Sequence, residues 1–334
     1  MIPFFDGVKA RIVRALTRAQ APLKEALERS MLLNAKVIEN SNLSKPTLSS
    51  LHDAEFRVFS QWGEDGIIAW LIGHLSGVPQ TFVEFGGENY QESNTRHLLQ
   101  SKNWRGLVID GSQDNIADIR RQELYWRHEL SAACAFIDRD NINTLIDGHG
   151  FKGEIGLLSV DIDGNDYWVW QAIDAVNPAI VVCEYNAVLG DRFALTVPYQ
   201  ADFQRSIAHY SCLYFGASIK ALILLAKKKG YRFIGTTSTG CNAFFVRNDF
   251  ATDILARLEQ VSMFPSRVRE ARDETGTLNY SNGVERMRAI AELTFLDIEK
   301  GTTAPLGSYG DLYSPEWSAG TQRFLLKNAS GPQV

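Results

Sequence analysis

The 334-residue sequence is short of cysteine, of long apolar runs and of positive charge. Its four cysteines, Cys134, Cys183, Cys212 and Cys241, lie far apart and form no CxxC pair. Three sit in apolar runs, so they read as buried reduced thiols rather than as disulfides or a zinc site. The longest apolar run, Ala221 to Ala226, is far too short to cross a bilayer. Met1 to Phe5 is too short for the apolar part of a secretory signal, and charges follow at Asp6 and Lys9. A cytoplasmic protein is expected, or one peripheral to the inner membrane face. The net charge of -5 argues against bulk nucleic-acid binding, and no internal repeat suggests a solenoid.

What is present is ordinary for a soluble globular chain, 45% hydrophobic and 22% charged. The length permits one large core with extensions. The organising stretch is Thr81-Phe82-Val83-Glu84-Phe85-Gly86-Gly87-Glu88-Asn89, an apolar strand that ends in a glycine pair. Such a pair lets backbone turn sharply and approach a ligand with no Cβ in the way. Leu107-Val108-Ile109-Asp110 then repeats the pattern of apolar strand and terminal acid. Strand, glycine turn, helix, strand, acid is the nucleoside-binding half of a Rossmann-like sheet.

The alternation continues. Expected strands 82–85, 107–110, 132–137, 155–163 and 179–184 are separated by helices over 93–101, 115–123, 141–146 and 167–173, which predicts a parallel, doubly wound α/β sheet. After a helix over 218–229, strands 231–235 and 243–247 are joined by a connection too short for a crossover. The sheet is therefore expected to end in an antiparallel hairpin. Residues 1–52 read as a helical arm and linker, 53–252 as the main domain, and 253–334 as a C-terminal elaboration with helices over 254–261 and 283–300. In the arm, Val8, Ile12, Leu16, Leu23, Leu27 and Met31 recur at helical spacing, and Lys9, Arg11, Arg14 and Arg18 make its first half basic. Such a helix can lie on an anionic membrane, pack on its own domain, or join a second subunit in a homo-oligomer.

The pieces Ser60-Gln61-Trp62-Gly63-Glu64-Asp65, Val83-Glu84-Phe85-Gly86-Gly87, Val108-Ile109-Asp110-Gly111 and Ser159-Val160-Asp161-Ile162-Asp163-Gly164-Asn165-Asp166, with Tyr214-Phe215-Gly216-Ala217-Ser218 and Asn242 to Arg247, resemble the FkbM-like branch of the class I methyltransferases. These use S-adenosylmethionine (SAM). The resemblance covers roughly residues 55 to 250 and implies a sheet with a reversed seventh strand. It also implies O-methylation of a sugar hydroxyl in a polysaccharide, glycolipid or glycosylated metabolite. The sequence departs from the family where Asn89, Tyr90 and Gln91 stand in place of a third glycine.

On that resemblance Glu84, Gly86 and Gly87 surround the methionine part and ribose of SAM, Asp110 with Gly111 holds the ribose diol, and Phe136 and Ile137 sandwich the adenine. Gln61, Glu64 and Asp65, ahead of the first strand, would close over the ligand. Asp161 and Asp163 are expected to project together from the fourth strand, with Glu184 and Asn186 beside them at the carboxyl edge. Two outcomes fit. The four could bind Mg²⁺ or another divalent cation, or crowding could raise a carboxylate's pKa and make it a general base, with Asp161 also touching SAM. His209 is a further proton acceptor, ahead of His97 and His149. Tyr185, Tyr199 and Tyr214 could line a sugar site. A nicotinamide-dependent oxidoreductase is the runner-up, weakened by the antiparallel ending and the missing GxGxxG; a non-catalytic scaffold in a glycan-assembly complex is the third reading.

Overall fold

The computed structural model describes residues 3–320 and 322–325, with side chains from 22 to 320. Lys9, Arg11, Arg14 and Arg18 therefore lie outside the described side chains. Helix α1 (Pro3–Leu43) is followed by α2 (Glu64–His74), β1 (Thr81–Phe85), α3 (Arg96–Lys102) and β2 (Arg105–Asp110). Next come α4 (Gln113–Arg121), α5 (Glu123–Arg127), β3 (Leu130–Cys134), α6 (Ile142–Gly148), β4 (Gly153–Val160), α7 (Asp166–Ala172) and β5 (Val176–Glu184). An excursion through β6 (Leu195–Thr196) and α8 (Arg205–Ala208) leads to α9 (Ile219–Lys229) and the hairpin β7 (Tyr231–Thr236) and β8 (Asn242–Arg247). The chain closes with α10 (Asn248–Leu255), β9 (Gln260–Met263), α11 (Gly283–Ala289), β10 (Thr294–Asp297), β11 (Thr302–Pro305), α12 (Pro315–Ser318) and β12 (Gln322–Leu325).

The main sheet runs β3-β2-β1-β4-β5-β8-β7. Pairings among β1 to β5 are parallel, whereas β8 is antiparallel to both β5 and β7. This is the doubly wound sheet with a reversed strand beside its edge, the class I methyltransferase architecture expected from the sequence. The strands read as continuous apolar runs because both faces are covered. Val83, Leu107, Leu158 and Val181 point to one side, under Trp170, Ile173 and Leu222. Phe82, Val108, Leu157 and Ile180 point to the other, under Ile67, Trp70, Leu98 and Ile116.

A third, smaller core joins the β5–α9 excursion to the C-terminal segment: Leu195, Phe203 and Phe215 pack with Ile290, Phe295 and Leu306. Residues 283–300 are not one helix as expected. α11 stops at Ala289, and Thr294–Asp297 pairs instead with β6 and β11. The helix expected over 254–261 lies earlier, as α10 over Asn248–Leu255, and β9 begins at Gln260. In the arm, α1 runs unbroken to Leu43, and its later half packs Met31, Leu32 and Ala35 on Phe56, Val58 and Phe59.

Candidate active site

A cavity of about 810 Å³ opens at the carboxyl edge of the sheet, where the strand order reverses between β1 and β4. The turn after β1 fixes its floor. Gly86 has φ +71°, and a Cβ there would lie 1.7 Å from the Asp161 carbonyl oxygen. Only glycine allows the ends of β1 and β4 to come this close. Gly87 and Gly111 line the cavity without such crowding.

Glu84 ends with its carboxylate occupied by the loop that follows. Oε2 accepts from Ser93 Oγ at 2.6 Å and from Thr95 Oγ1, and Oε1 accepts from Asn94 N at 2.8 Å. Burial pushes its pKa up and these bonds oppose the rise. Asp110 Oδ1 accepts from Ser112 N at 2.8 Å and Asn115 Nδ2 at 3.0 Å, while Oδ2 takes no hydrogen bond among the described residues. Asp110 therefore keeps an acceptor for a ligand. Phe136 and Ile137 also line the cavity, Phe136 half exposed. They lie beyond the end of β3, which spans 130–134 rather than 132–137.

Of the three residues ahead of β1, only Gln61 reaches the cavity. Asp65 Oδ2 accepts from the backbone of Val58, Phe59 and Ser60, each at 2.7 Å, and Glu64 accepts from Trp62 N and from Asn242 Nδ2 at 2.8 Å. Asp65 is held by its own loop and Glu64 also by Asn242 of β8, and neither lines the cavity.

The acidic edge assembles differently from the expected four. β4 ends at Val160, and Asp163 takes φ +56°, so the strand alternation that would align Asp161 with Asp163 is broken. Asn186 turns away: its Nδ2 donates to Leu213 O and Phe215 O, and its Oδ1 accepts from Val188 N. Asp161 and Glu184 do meet, and Asp166 joins them, with ligand atoms within 4.8 Å of one another. The fit to a divalent cation is poor. Both Asp166 oxygens already accept backbone N–H bonds, from Ile162 and Gly164.

Of the arginines that line the cavity, Arg205 is the one set among these carboxylates. Its Nη1 donates to Asp163 Oδ1 at 2.6 Å and lies 3.8 Å from Glu184 Oε1; Nη2 is 3.1 Å from Glu270 Oε2, and Nε donates to Cys212 O. The guanidinium lies over the Phe215 ring, 3.6 Å from its centroid. Burial disfavours its charge, but Glu184, Asp163 and Glu270 outweigh that and hold its pKa above the ordinary value.

Asp161 and Glu184 bring their carboxyl oxygens within 4.8 Å of each other, close enough that ionising one opposes ionising the other. Glu184 Oε2 is buried with no hydrogen-bond donor among the described residues. Burial, then the charges of Asp163 and Asp166, push the Asp161 pKa well up; burial, then Asp161 and Asp163, do the same to Glu184. Burial raises Asp166 to about 6. Burial and crowding thus push both carboxyls of the pair above the usual carboxylate range.

Several other candidates stand apart. His209 does not line the cavity; its Nδ1 pairs with Ser211 Oγ at 2.7 Å, and burial lowers its pKa. His97 is buried beside Glu39, and His149 bonds Leu145 O. The hydroxyls of Tyr185 and Tyr214 are bonded to Phe264 O and Thr294 O, and Tyr199 lies against Arg139. None of these tyrosines lines the cavity. Sequence reasoning missed Arg205, Glu270 and Asp166. Asp166 stood in the quoted Asp161–Asp166 run; nothing in the sequence marked the other two.

No protein-family model matches the chain, and no curated protein does. Among solved structures it is similar to PhzM, a pyocyanin biosynthetic protein, with 12% identity over 52% of each chain and a TM-score of 0.31. The chain thus spans about half the length of PhzM. It is also similar to the N-terminal domain of EvdMO1 with SAH bound, with 11% identity over 66% of this chain and 95% of that one and a TM-score of 0.37. A third is an S-adenosylmethionine-dependent methyltransferase from Clostridium acetobutylicum ATCC 824, with 9% identity over 50% of this chain and 83% of that one and a TM-score of 0.31. The functional reading rests on the geometry of the site.

Proposed function

We propose that the protein is a SAM-dependent O-methyltransferase whose acceptor is a sugar hydroxyl. The observation that carries the reading is one cavity holding, in order across the sheet edge, Asp110 with a free oxygen, the Gly86 turn, and the close carboxyl pair Asp161 and Glu184. Asp110 offers its Oδ2 to a ribose hydroxyl, and the turn at Gly86 and Gly87 leaves room for ligand against bare backbone. The residues present suit SAM, which when bound supplies a methyl group activated on a sulfonium. The acidic wall around it suits a cationic ligand.

The acceptor hydroxyl must lose its proton as the new C–O bond forms. Asp161 and Glu184 are the groups of this chain placed to take it, and their raised pKa values bring proton affinity closer to neutral pH. Arg205 holds Asp163 and Glu270 in place around them. The edge suits a divalent cation poorly, because both Asp166 oxygens are taken by backbone N–H groups and Asp163 is held by Arg205. The sugar acceptor is supported by the family resemblance of the sequence motifs.

Calorimetry of the full chain against SAM and S-adenosylhomocysteine (SAH) is the test. Binding of both is expected, and folded protein that binds neither would sink the reading. Transfer of a radiolabelled methyl group to a sugar-bearing acceptor, stable to mild base, then distinguishes an ether from an ester product.

A further inference from the structure

We propose that α1 docks its exposed face on an anionic lipid surface. This does not depend on the catalytic reading. The described half of α1 has two faces. One is occupied by its own domain, through Met31, Leu32 and Ala35 and the ion pairs Glu28–Arg96 and Glu39–Lys102. On the other, Leu23, Leu27, Leu33 and Val37 are 73%, 58%, 67% and 69% exposed, with Ile38 also bare.

At about 100° per residue, these five side chains cover an arc of roughly 140°. That is wider than the two-position seam of a coiled-coil dimer, and it suits a helix lying in a lipid interface. Four exposed branched side chains on one helical stripe leave an apolar patch of several hundred Å², which soluble surfaces rarely leave uncovered.

Charge selects the partner. Residues 1–43 contain seven Lys and Arg against four Asp and Glu, a net +3 in a chain whose total is -5, and the whole excess falls in residues 1–21, ahead of the stripe. The arm is cationic and the remainder acidic. An anionic bilayer attracts the first and repels the second, which leaves the arm on the surface and the body above it. No helix among the described residues is long and apolar enough to cross a membrane, so the contact is in the plane of the interface.

The test is co-sedimentation of the full chain with vesicles of phosphatidylcholine alone or mixed with phosphatidylglycerol. Wild type is expected to pellet with the mixed vesicles at low salt, to be released as salt rises, and to stay in solution with phosphatidylcholine alone. The double variant Leu23→Glu, Leu27→Glu should partition at least about tenfold less. Leu33→Gln with Val37→Gln should weaken capture in the same direction. Both pairs are exposed, so both variants should melt near wild type. Wild type left in solution by mixed vesicles, or either variant pelleting equally well, overturns the proposal. So does a lipid-free dimer in sedimentation velocity that the same substitutions abolish while vesicle capture is absent.

Discussion

Asp161 and Arg205 set the electrostatics of the site and predict opposite outcomes on removal. Asp161→Asn removes a carboxyl whose ionisation is opposed by burial and by Asp163 and Asp166. It should lower turnover by about 10²–10⁴, the usual worth of a general base, yet make the fold more stable at neutral pH. The sign follows from linkage. A carboxyl whose pKa is raised in the fold contributes stability fully present below its unfolded pKa and lost as pH rises through the folded value. For Asp166, raised from 3.8 to about 6, the loss falls across that interval and is on the order of 2–3 kcal/mol. Melting curves from pH 4 to 8 check this: Asp161→Asn should gain on wild type as pH rises, and no gain would remove the raised-pKa account. Arg205→Met leaves Asp163, Glu184 and Glu270 facing one another. It should cost about 3–5 kcal/mol by urea unfolding at neutral pH, and less as pH falls, because Glu184 is held above the ordinary carboxylate range and its protonation relieves the repulsion.

Among the elements, the loop between β1 and α3 depends on one side chain. Ser93, Asn94 and Thr95 all donate to Glu84. Glu84→Gln would turn an amide N–H₂ toward groups that are themselves donors, leaving at least one without its acceptor. SAH affinity should fall about tenfold or more, at roughly 1–3 kcal/mol for the unsatisfied group, measured by calorimetry; unchanged affinity would mean the loop does not shape the cofactor side. The same loop shows what the sequence disclosed. Strands β1, β2, β4, β5 and β8 were legible because burial on both faces makes each a continuous apolar run, and with them came Gly86, Asp110, Asp161 and Glu184 near their ends. β3 was misread by two or three residues because apolar Ala135, Phe136 and Ile137 continue past its end. Asp163 was misplaced because its positive φ lies after β4 has stopped. Arg205 reaches Asp163 and Glu270 across 42 and 65 residues, and no local period announces a pairing made only by the tertiary fold.

At the scale of the whole molecule, the cavity is shared between parts that rest on different cores. Gly86 and Asp110 end strands held by the two clusters flanking the main sheet. Phe203, which lines the cavity, and Phe215, which underlies Arg205, belong to the third cluster with Phe295 of β10. Phe295 is fully buried and its ring meets Tyr214 at 5.0 Å. Phe295→Ala should cost about 3–5 kcal/mol for the lost contacts and the cavity left behind. The loss should appear on one side only. Phe203 and the platform under Arg205 loosen, so the acceptor KM rises or turnover falls by about tenfold or more, the effect of misplacing a positioned group by about 1 Å. SAH affinity should stay within about twofold, since the substitution lies outside the contacts that shape that side, where distant effects are nearly independent. Calorimetry and steady-state kinetics on the same preparation separate the two. Parallel loss of SAH binding would mean that the third core supports the whole sheet edge; acceptor loss alone would mean that the C-terminal segment, although it lacks a core of its own, is part of the acceptor site.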